Sequence, residues 1–246
     1  MNRFFPWCLL TCLALAFLLI FVGESDGISF DGIATFLTRD RVIAQRIVAA
    51  SADADVLVGA GDIAMRGIGL SDTLDILKGV RAPLIVVSGN HDNSKELRQA
   101  CEAAPVLRYL DGDGATFGGV TFFGIGREIP FQKNAPWSES YSEQQADEAL
   151  QASPEGAVLV SHAPPFGIVD HQADGRHDGS QALLDAVTRK KPRLHLCGHL
   201  HHCAGSTIAP GRARFWIKPG YSTWDRRLRL SKSSLGRRSR RRLHLS

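Results

Sequence analysis

Four short segments of the sequence place metal-ligating side chains beside glycine or proline. They are Gly61-Asp62, Gly89-Asn90-His91-Asp92, His162-Ala163-Pro164-Pro165 and Gly198-His199-Leu200-His201-His202. Carboxylate, amide and imidazole groups are the donors that hold divalent metals in proteins. Each segment alone would indicate only a turn, a helix cap or a structural histidine. Together they predict a metal centre.

A run of apolar residues precedes each of these segments. The runs are Val56–Ala60, Leu84–Ser88, Ala157–Ser161 and Leu194–Cys197, and they are typical of buried strands. In an open α/β sheet, sites form outside the carboxyl ends of the strands. Glycine and proline turn the chain tightly there, so the polar side chains are expected to converge.

The rest of the chain after Asp40 alternates apolar runs with amphipathic stretches, which is typical of βαβ units. Further strands are predicted at Val120–Ile125, Ser206–Ala209 and Ala213–Lys218, the last two around the Pro210-Gly211 turn. Helices are predicted at Arg41–Ser51, Ser71–Lys78, Ser94–Glu102, Ser142–Gln151 and Gln181–Thr188. No internal repeat or linker divides the chain, so one α/β domain is expected.

Other kinds of site fit the sequence less well. Residues 59–64 match a GxGxxA dinucleotide fingerprint, but Arg81 stands where a ribose-binding acid belongs. The sequence contains neither GxSxG nor HExxH. Residues 197–203 hold two cysteines and three histidines, but structural zinc sites usually draw ligand pairs from two separated segments.

Charge is distributed unevenly along the chain. Its 246 residues are 44% hydrophobic and 22% charged, which excludes collagen-like, coiled-coil and wholly disordered chains. Between Arg226 and Ser246 there are nine Lys and Arg residues and no acid, which leaves 20 basic against 25 acidic groups in residues 1–225. A basic tail of this kind is solvated or binds nucleic acid or anionic lipid. No aromatic residues interleave with its arginines, which argues against single-strand binding.

The N-terminal segment allows two interpretations. Residues 4–22 are apolar apart from Thr11 and follow Arg3, as in a signal peptide or a membrane anchor of ~20 residues. Alternatively, Leu15–Val22 is the edge strand of the sheet, preceded by residues foreign to the fold. Localisation therefore stays open between membrane-anchored, exported and cytoplasmic. The five cysteines form no readable disulfide framework.

The four polar segments, in this order, resemble the motif series of the calcineurin-like metallophosphoesterases over about residues 55–220. The segments His177-Asp178-Gly179-Ser180 and Pro192–Gly198 resemble the branch that includes cyclic-nucleotide phosphodiesterases. The resemblance implies a four-layer αββα sandwich over residues 26–225. It also implies two divalent metal ions (Mn, Fe, Zn, Co or Ni) and hydrolysis of a small phosphate monoester or diester by a metal-bound hydroxide.

The same resemblance assigns roles at matching positions. Asp62 would bridge the two ions, and His91 would act as acid or charge stabiliser, oriented by Asp92. The remaining metal ligands would be Asn90, His162 and His199 on one ion and His201 on the other. An aromatic loop with Phe131, Trp137 and Tyr141, together with residues 166–177, would border the cleft or pack beneath it.

One family motif is missing from the sequence. The family begins with Asp-x-His at the end of its first strand, and no Asp-x-His precedes Asp62. The best local match, residues 33–40, has Phe36 and Thr38 at the two ligand positions; Ser25-Asp26-Gly27-Ile28 keeps only the Asp. The second ion is therefore expected to bind weakly. The alternative function is a catalytically impaired metal-binding or interaction protein on the same fold.

Overall fold

The structure is a computed structural model that describes residues 17–20, 41–64, 66–132, 135–200, 203, 207–208 and 215–217. The strands are β1 Phe17–Ile20, β2 Val56–Ala60, β3 Leu84–Val87, β4 Leu107–Tyr109, β5 Asp113–Phe117, β6 Val120–Ile125, β7 Val158–Ser161, β8 Leu194–Cys197, β9 Thr207–Ile208 and β10 Phe215–Ile217. The helices are α1 Arg41–Ala50, α2 Leu70–Leu77, α3 Ser94–Glu102, α4 Glu143–Leu150 and α5 Gln181–Lys190.

The strands form two sheets, ordered β1-β2-β3-β4 and β5-β6-β7-β8-β10-β9. Strands β2, β3 and β4 are parallel to one another, as are β6, β7, β8 and β10. The antiparallel strands β1, β5 and β9 lie at sheet edges. Each sheet thus has a parallel centre whose carboxyl ends share one edge.

Three apolar clusters establish the layers. Alternate residues of β2, such as Val56 and Val58, pack between the sheets against residues of the second sheet such as Phe122 and Val160. The opposite face of β2, with Leu57, packs on α1, α2 and α3, while α4 and α5 cover the outer face of the second sheet. Strands buried on both faces explain the continuous apolar runs, and the predicted αββα sandwich is confirmed.

Local sequence signals begin three of the helices. Asn93 accepts a hydrogen bond from the Glu96 N–H at 3.0 Å at the start of α3. Ser142 and Gln145 form a reciprocal capping box at α4, and Ser180 accepts from the Leu183 N–H at 3.2 Å at α5. Such caps satisfy amide groups that the first helical turn leaves unpaired.

For the predicted strands and helices from α1 to β8, both ends are confirmed to within two residues. Strands β9 and β10 lie inside their predicted ranges. The sequence analysis missed β4 and β5. No helix among the described residues is long and apolar enough to cross a membrane. Residues 1–16 and the basic tail 226–246 lie outside the described residues.

Strand β1 lies inside Leu15–Val22, the range of the edge-strand interpretation. It runs antiparallel to β2, with Phe17 opposite Gly59 and Ile20 opposite Val56. Because Ile20 pairs with the first residue of β2, β1 ends at the edge opposite to Asp62. A strand that supplied Asp-x-His to the site would have to end at the other edge.

Candidate active site

The ends of β2, β3, β7 and β8 bring the predicted polar segments together. Two glycines allow this close approach: a Cβ at Gly61 would overlap the His162 ring, and a Cβ at Gly89 would overlap the Asp62 carboxylate. Gly61 also has φ +89°, which L side chains rarely adopt. The glycines at these strand ends therefore permit the contacts between the polar groups.

The Nε2 atom of His162 lies at the centre of the cluster. It is 3.1 Å from His199 Nδ1, 3.2 Å from Asn90 Oδ1 and 3.6 Å from Asp62 Oδ1. Two ligand atoms on one tetrahedral zinc ion, each bonded at about 2.0–2.1 Å, lie about 3.3 Å apart. Asp62, Asn90 and His199 thus each place a donor atom at about this spacing from His162 Nε2.

His162 has the protonation state that a metal ligand needs. Its Nδ1 lies 2.8 Å from the Ala60 carbonyl oxygen and donates to it, so the lone pair of the neutral ring is on Nε2. Burial lowers the pKa of His162, because a charged imidazolium is poorly solvated inside the protein. The neutral ring directs Nε2 at the carboxylate and amide oxygens of Asp62 and Asn90.

Two of these residues adopt left-handed backbone conformations. Asp62 has φ 57° and His199 has φ 67°. Non-glycine residues enter this region at a cost of about 1–3 kcal/mol, and such strain concentrates at functional sites. Here it turns each side chain inward immediately after its strand.

Asp92 holds the turn that carries Asn90 and His91. Its buried carboxylate accepts hydrogen bonds from the backbone N–H groups of Gly89 at 2.8 Å, Ala64 at 2.7 Å and Ile63 at 3.1 Å. Burial, together with the nearby Asp62 carboxylate, raises the pKa of Asp92 to about 7. Asp92 therefore joins the ends of β2 and β3 through the backbone and stabilises the turn that contains His91.

His91 is half-buried beside the cluster. Its backbone N–H donates to Asp62 Oδ1 at 3.1 Å, and its ring stacks on Trp137, with centroids 4.5 Å apart and an angle of 17° between the planes. The guanidinium of Arg66, which is exposed, lies 4.7 Å from the centre of the same indole. Arg66 and Trp137 thus bring a cation and an aromatic surface next to His91.

Glu128, which was not singled out in the sequence, lies beside the cluster. Its side chain is buried, with Oε1 3.7 Å from His199 Nε2 and Oε2 accepting from the Ser138 hydroxyl at 3.3 Å. Ser138 in turn accepts from the Asn90 amide at 3.3 Å. A signal existed: β6, parallel to β7, also ends at this edge and is followed by Gly126-Arg127-Glu128.

Two roles were predicted for the aromatic loop, bordering the cleft and packing beneath it, and different residues of the loop fill them. Trp137 contacts His91, whereas Tyr141 packs against the core of α4 and α5 and bonds through its hydroxyl to Asp111 at 3.0 Å. Phe131 and Phe166 are exposed. Trp137 is therefore the aromatic side chain of this loop that contacts a predicted catalytic residue.

Several predicted residues lie outside the described residues. They are His201, His202, Phe36, Thr38 and Asp26. Cys197 and Cys203 are buried and form no disulfide with a described residue. The described residues thus include the predicted ligands of one ion, Asp62, Asn90, His162 and His199, and both ions stay predictions from sequence.

A two-sheet sandwich with Asp, Asn and His side chains at the carboxyl ends of its parallel strands is consistent with the fold of the metallophosphoesterases. The calcineurin-like phosphoesterase family matches residues 28–203. The chain belongs to this family, whose members use divalent metals.

The chain is also similar to individual members. It is 30% identical over 187 residues to a UPF0046 protein of Caenorhabditis elegans, covering 66% of this chain and 61% of the relative. It is 29% identical over 164 residues to the cAMP/cGMP dual specificity phosphodiesterase of Mycobacterium tuberculosis, covering 63% of this chain and 51% of the relative. The chain thus spans about half to three-fifths of the length of these relatives. The structure of TT1561 from Thermus thermophilus shares the fold, with a TM-score of 0.58 at 16% identity over 72% of this chain and 82% of that one.

Proposed function

We propose that this chain is a metal-dependent phosphoesterase that hydrolyses small phosphodiesters of the cyclic-nucleotide class. The observation that carries the proposal is the convergence of three donor atoms, from Asp62, Asn90 and His199, within 3.6 Å of His162 Nε2. Such a set of oxygen and imidazole donors suits a divalent ion. The relatives named as cyclic-nucleotide phosphodiesterases support the substrate class.

Asp62, Asn90, His162 and His199 would hold the ion in this proposal. A bound divalent ion supplies Lewis acidity toward a phosphoryl oxygen and a nucleophile at neutral pH. The carboxylate of Asp62 places negative charge at the ion, and the neutral ring of His162 adds none. His201 would serve a second ion, as expected from the sequence.

His91 would act on the leaving oxygen of the ester. Its backbone N–H is held by Asp62 and its ring by Trp137, so the imidazole lies beside the ion site without being one of the proposed ligands. From there it would donate a proton or stabilise developing negative charge. The Arg66 guanidinium next to Trp137 would attract the anionic ester.

The test is a phosphodiesterase and phosphatase panel with Mn²⁺, Zn²⁺, Co²⁺ and Ni²⁺, with metal content measured on the same samples. We expect Asp62→Asn to lower metal occupancy and abolish turnover, because a neutral amide holds cations more weakly. The matched control is Asp75→Asn, since the Asp75 side chain is 62% exposed and pairs with Lys78. Unchanged occupancy and rate in Asp62→Asn would refute the proposal.

A second candidate is a catalytically impaired metal-binding protein on the same fold. The missing Asp-x-His motif and the antiparallel direction of β1 favour it. It predicts about one tight ion in each active site and little hydrolysis unless metal is in excess. Phe36→Asp with Thr38→His should then raise both the number of ions bound in the active site and turnover. Two tight ions in the active site with full activity in the unaltered chain would exclude this candidate.

A further inference from the structure

A short hairpin outside the proposed active site gathers a second set of metal-ligating side chains. Between Asp170 and Asp178 the chain folds back on itself: the Asp178 N–H donates to the Asp170 carbonyl at 3.0 Å, and the Gln172 N–H donates to the Arg176 carbonyl at 2.8 Å. Gly175, with φ +83°, forms the turn.

The hairpin register places two imidazoles together. His171 and His177 are directly opposite each other in an antiparallel bridge, and opposed residues of such a pair project their side chains to the same face. Their ring centroids are 4.3 Å apart. Both side chains are exposed, so an ion could reach them from solvent.

Asp170 adds a preoriented carboxylate to the two imidazoles. It is fully buried, and its Oδ2 accepts hydrogen bonds from the backbone N–H groups of Gly167 at 2.8 Å and Gly179 at 3.1 Å. Its Oδ1 is thereby aimed at His177 Nδ1, 2.6 Å away. One ligand atom from each of Asp170, His171 and His177 lies within 4.8 Å of the others.

We propose that Asp170, His171 and His177 form a binding site for a borderline divalent ion such as Zn²⁺, Co²⁺ or Ni²⁺. Two imidazoles with one carboxylate are a recurrent donor set for such ions, and three protein ligands leave coordination positions for water. The hydrogen bonds to Oδ2 fix the carboxylate before an ion arrives, as the outer partners of metal ligands do. Closing the ligands around an ion requires movement mainly of the two exposed rings.

The hairpin contacts the turn that follows β8. The Cys203 thiol donates to the His171 carbonyl at 3.4 Å, and Val169, Cys197 and Cys203 pack together beneath the hairpin. His199 lies on the same turn as Cys203, two residues beyond Cys197. The proposed ion would therefore stabilise a segment next to the active site while using none of its ligands.

The experiment measures zinc bound per chain in untagged full-length protein by equilibrium dialysis and elemental analysis. The hairpin variant combines His171→Asn with His177→Asn, and Asp174→Asn is its matched control, because Asp174 lies in the same hairpin and pairs with Arg176. We expect the hairpin variant to bind about one zinc ion fewer than the unaltered chain, and Asp174→Asn to bind the same number.

A third variant separates this site from the proposed active site. His162→Asn with His199→Asn removes active-site donors and should retain a zinc ion whose X-ray absorption spectrum shows two imidazole ligands. Equal zinc binding by the hairpin variant and the unaltered chain would overturn the proposal. The contact between Asp170 and His177 would then only stabilise the loop. That comparison remains decisive if the third variant does not fold or if the chain hydrolyses no phosphate ester.

Discussion

The imidazole of His91 stacks on the indole of Trp137, with ring centroids 4.5 Å apart and planes 17° from parallel. The two residues come from different parts of the chain, the turn after β3 and the loop after β6. That loop is fixed at its base by Arg127, which pairs with Glu139 at 3.2 Å and donates to the Ser94 hydroxyl at 3.1 Å. Trp137 therefore supports one face of the His91 ring from this loop.

This stacking predicts a specific effect of removing the indole. Trp137→Leu should lower kcat by up to about 10-fold with unchanged metal content, because an aromatic pair contributes about 0.5–1.5 kcal/mol to the position of each ring. Trp137→Phe should keep most of the activity. The measurement is kcat and KM for a phosphodiester, with metal content on the same samples. Loss of metal from Trp137→Leu would show that the indole supports the ion site instead.

Separate roles are expected within the Asn90-His91-Asp92 turn. His91→Asn should leave metal content nearly intact and reduce turnover by ~10²-fold or more, the scale of a lost general acid. Asn90→Ala should lower metal occupancy as well, because Asn90 Oδ1 is one of the donors around His162. Metal analysis and steady-state kinetics on both variants test this, and an emptied site in His91→Asn would contradict the assignment.

Glu128 is expected to tune metal affinity through His199. The buried Glu128 carboxylate lies 3.7 Å from His199 Nε2. This contact favours the orientation of the His199 ring in which Nδ1 faces the ion site. Glu128→Gln should weaken metal binding by about 10–100-fold, the usual effect of changing a partner of a metal ligand. Titration with Co²⁺ measures the metal affinity of the variant. Glu139→Gln is the control, because Glu139 pairs with Arg127 in the same loop. Equal affinities would leave Glu128 a purely structural role.

The sequence predicted which polar residues lie close together wherever such a residue directly follows an apolar strand. Asp62, His162 and His199 each come within two residues of such a strand, and parallel strands must bring their carboxyl ends to one edge. Glu128 also follows a strand, but a single glutamate has no local signal of burial. Its burial depends on Ser138 and His199, which are distant in sequence.

The missed strands have a different cause. β4 is three residues long with an exposed Arg108 at its centre, and β5 contains Gly114 and no apolar run. Both are held by pairing with a neighbouring strand, β3 and β6 respectively. Edge strands of this kind lack the buried pattern that identifies central strands.

The imidazole of His195, fully buried in β8, should make the fold sensitive to acid. Its Nε2 lies 2.7 Å from the Ser161 hydroxyl. That hydroxyl donates to the Ala163 carbonyl at 2.5 Å, so it accepts a hydrogen bond from Nε2 of His195. Burial lowers the pKa of His195 from its ordinary 6.5 to about 3. The folded chain therefore holds a neutral imidazole at pH values where the unfolded chain binds a proton.

His195 thus contributes stability that is fully present above pH 6.5 and is lost as the pH falls toward the folded-state pKa of about 3. At about pH 5 the loss amounts to ~2 kcal/mol. His195→Gln, which keeps a donor for Ser161, should show a correspondingly smaller decline in unfolding free energy between about pH 7.5 and about pH 5. Urea denaturation in the presence of EDTA measures this decline in unfolding free energy without a contribution from bound metal. His171→Asn, which replaces an exposed histidine, is the control. The same pH dependence in His195→Gln and the unaltered chain would contradict a neutral, buried His195.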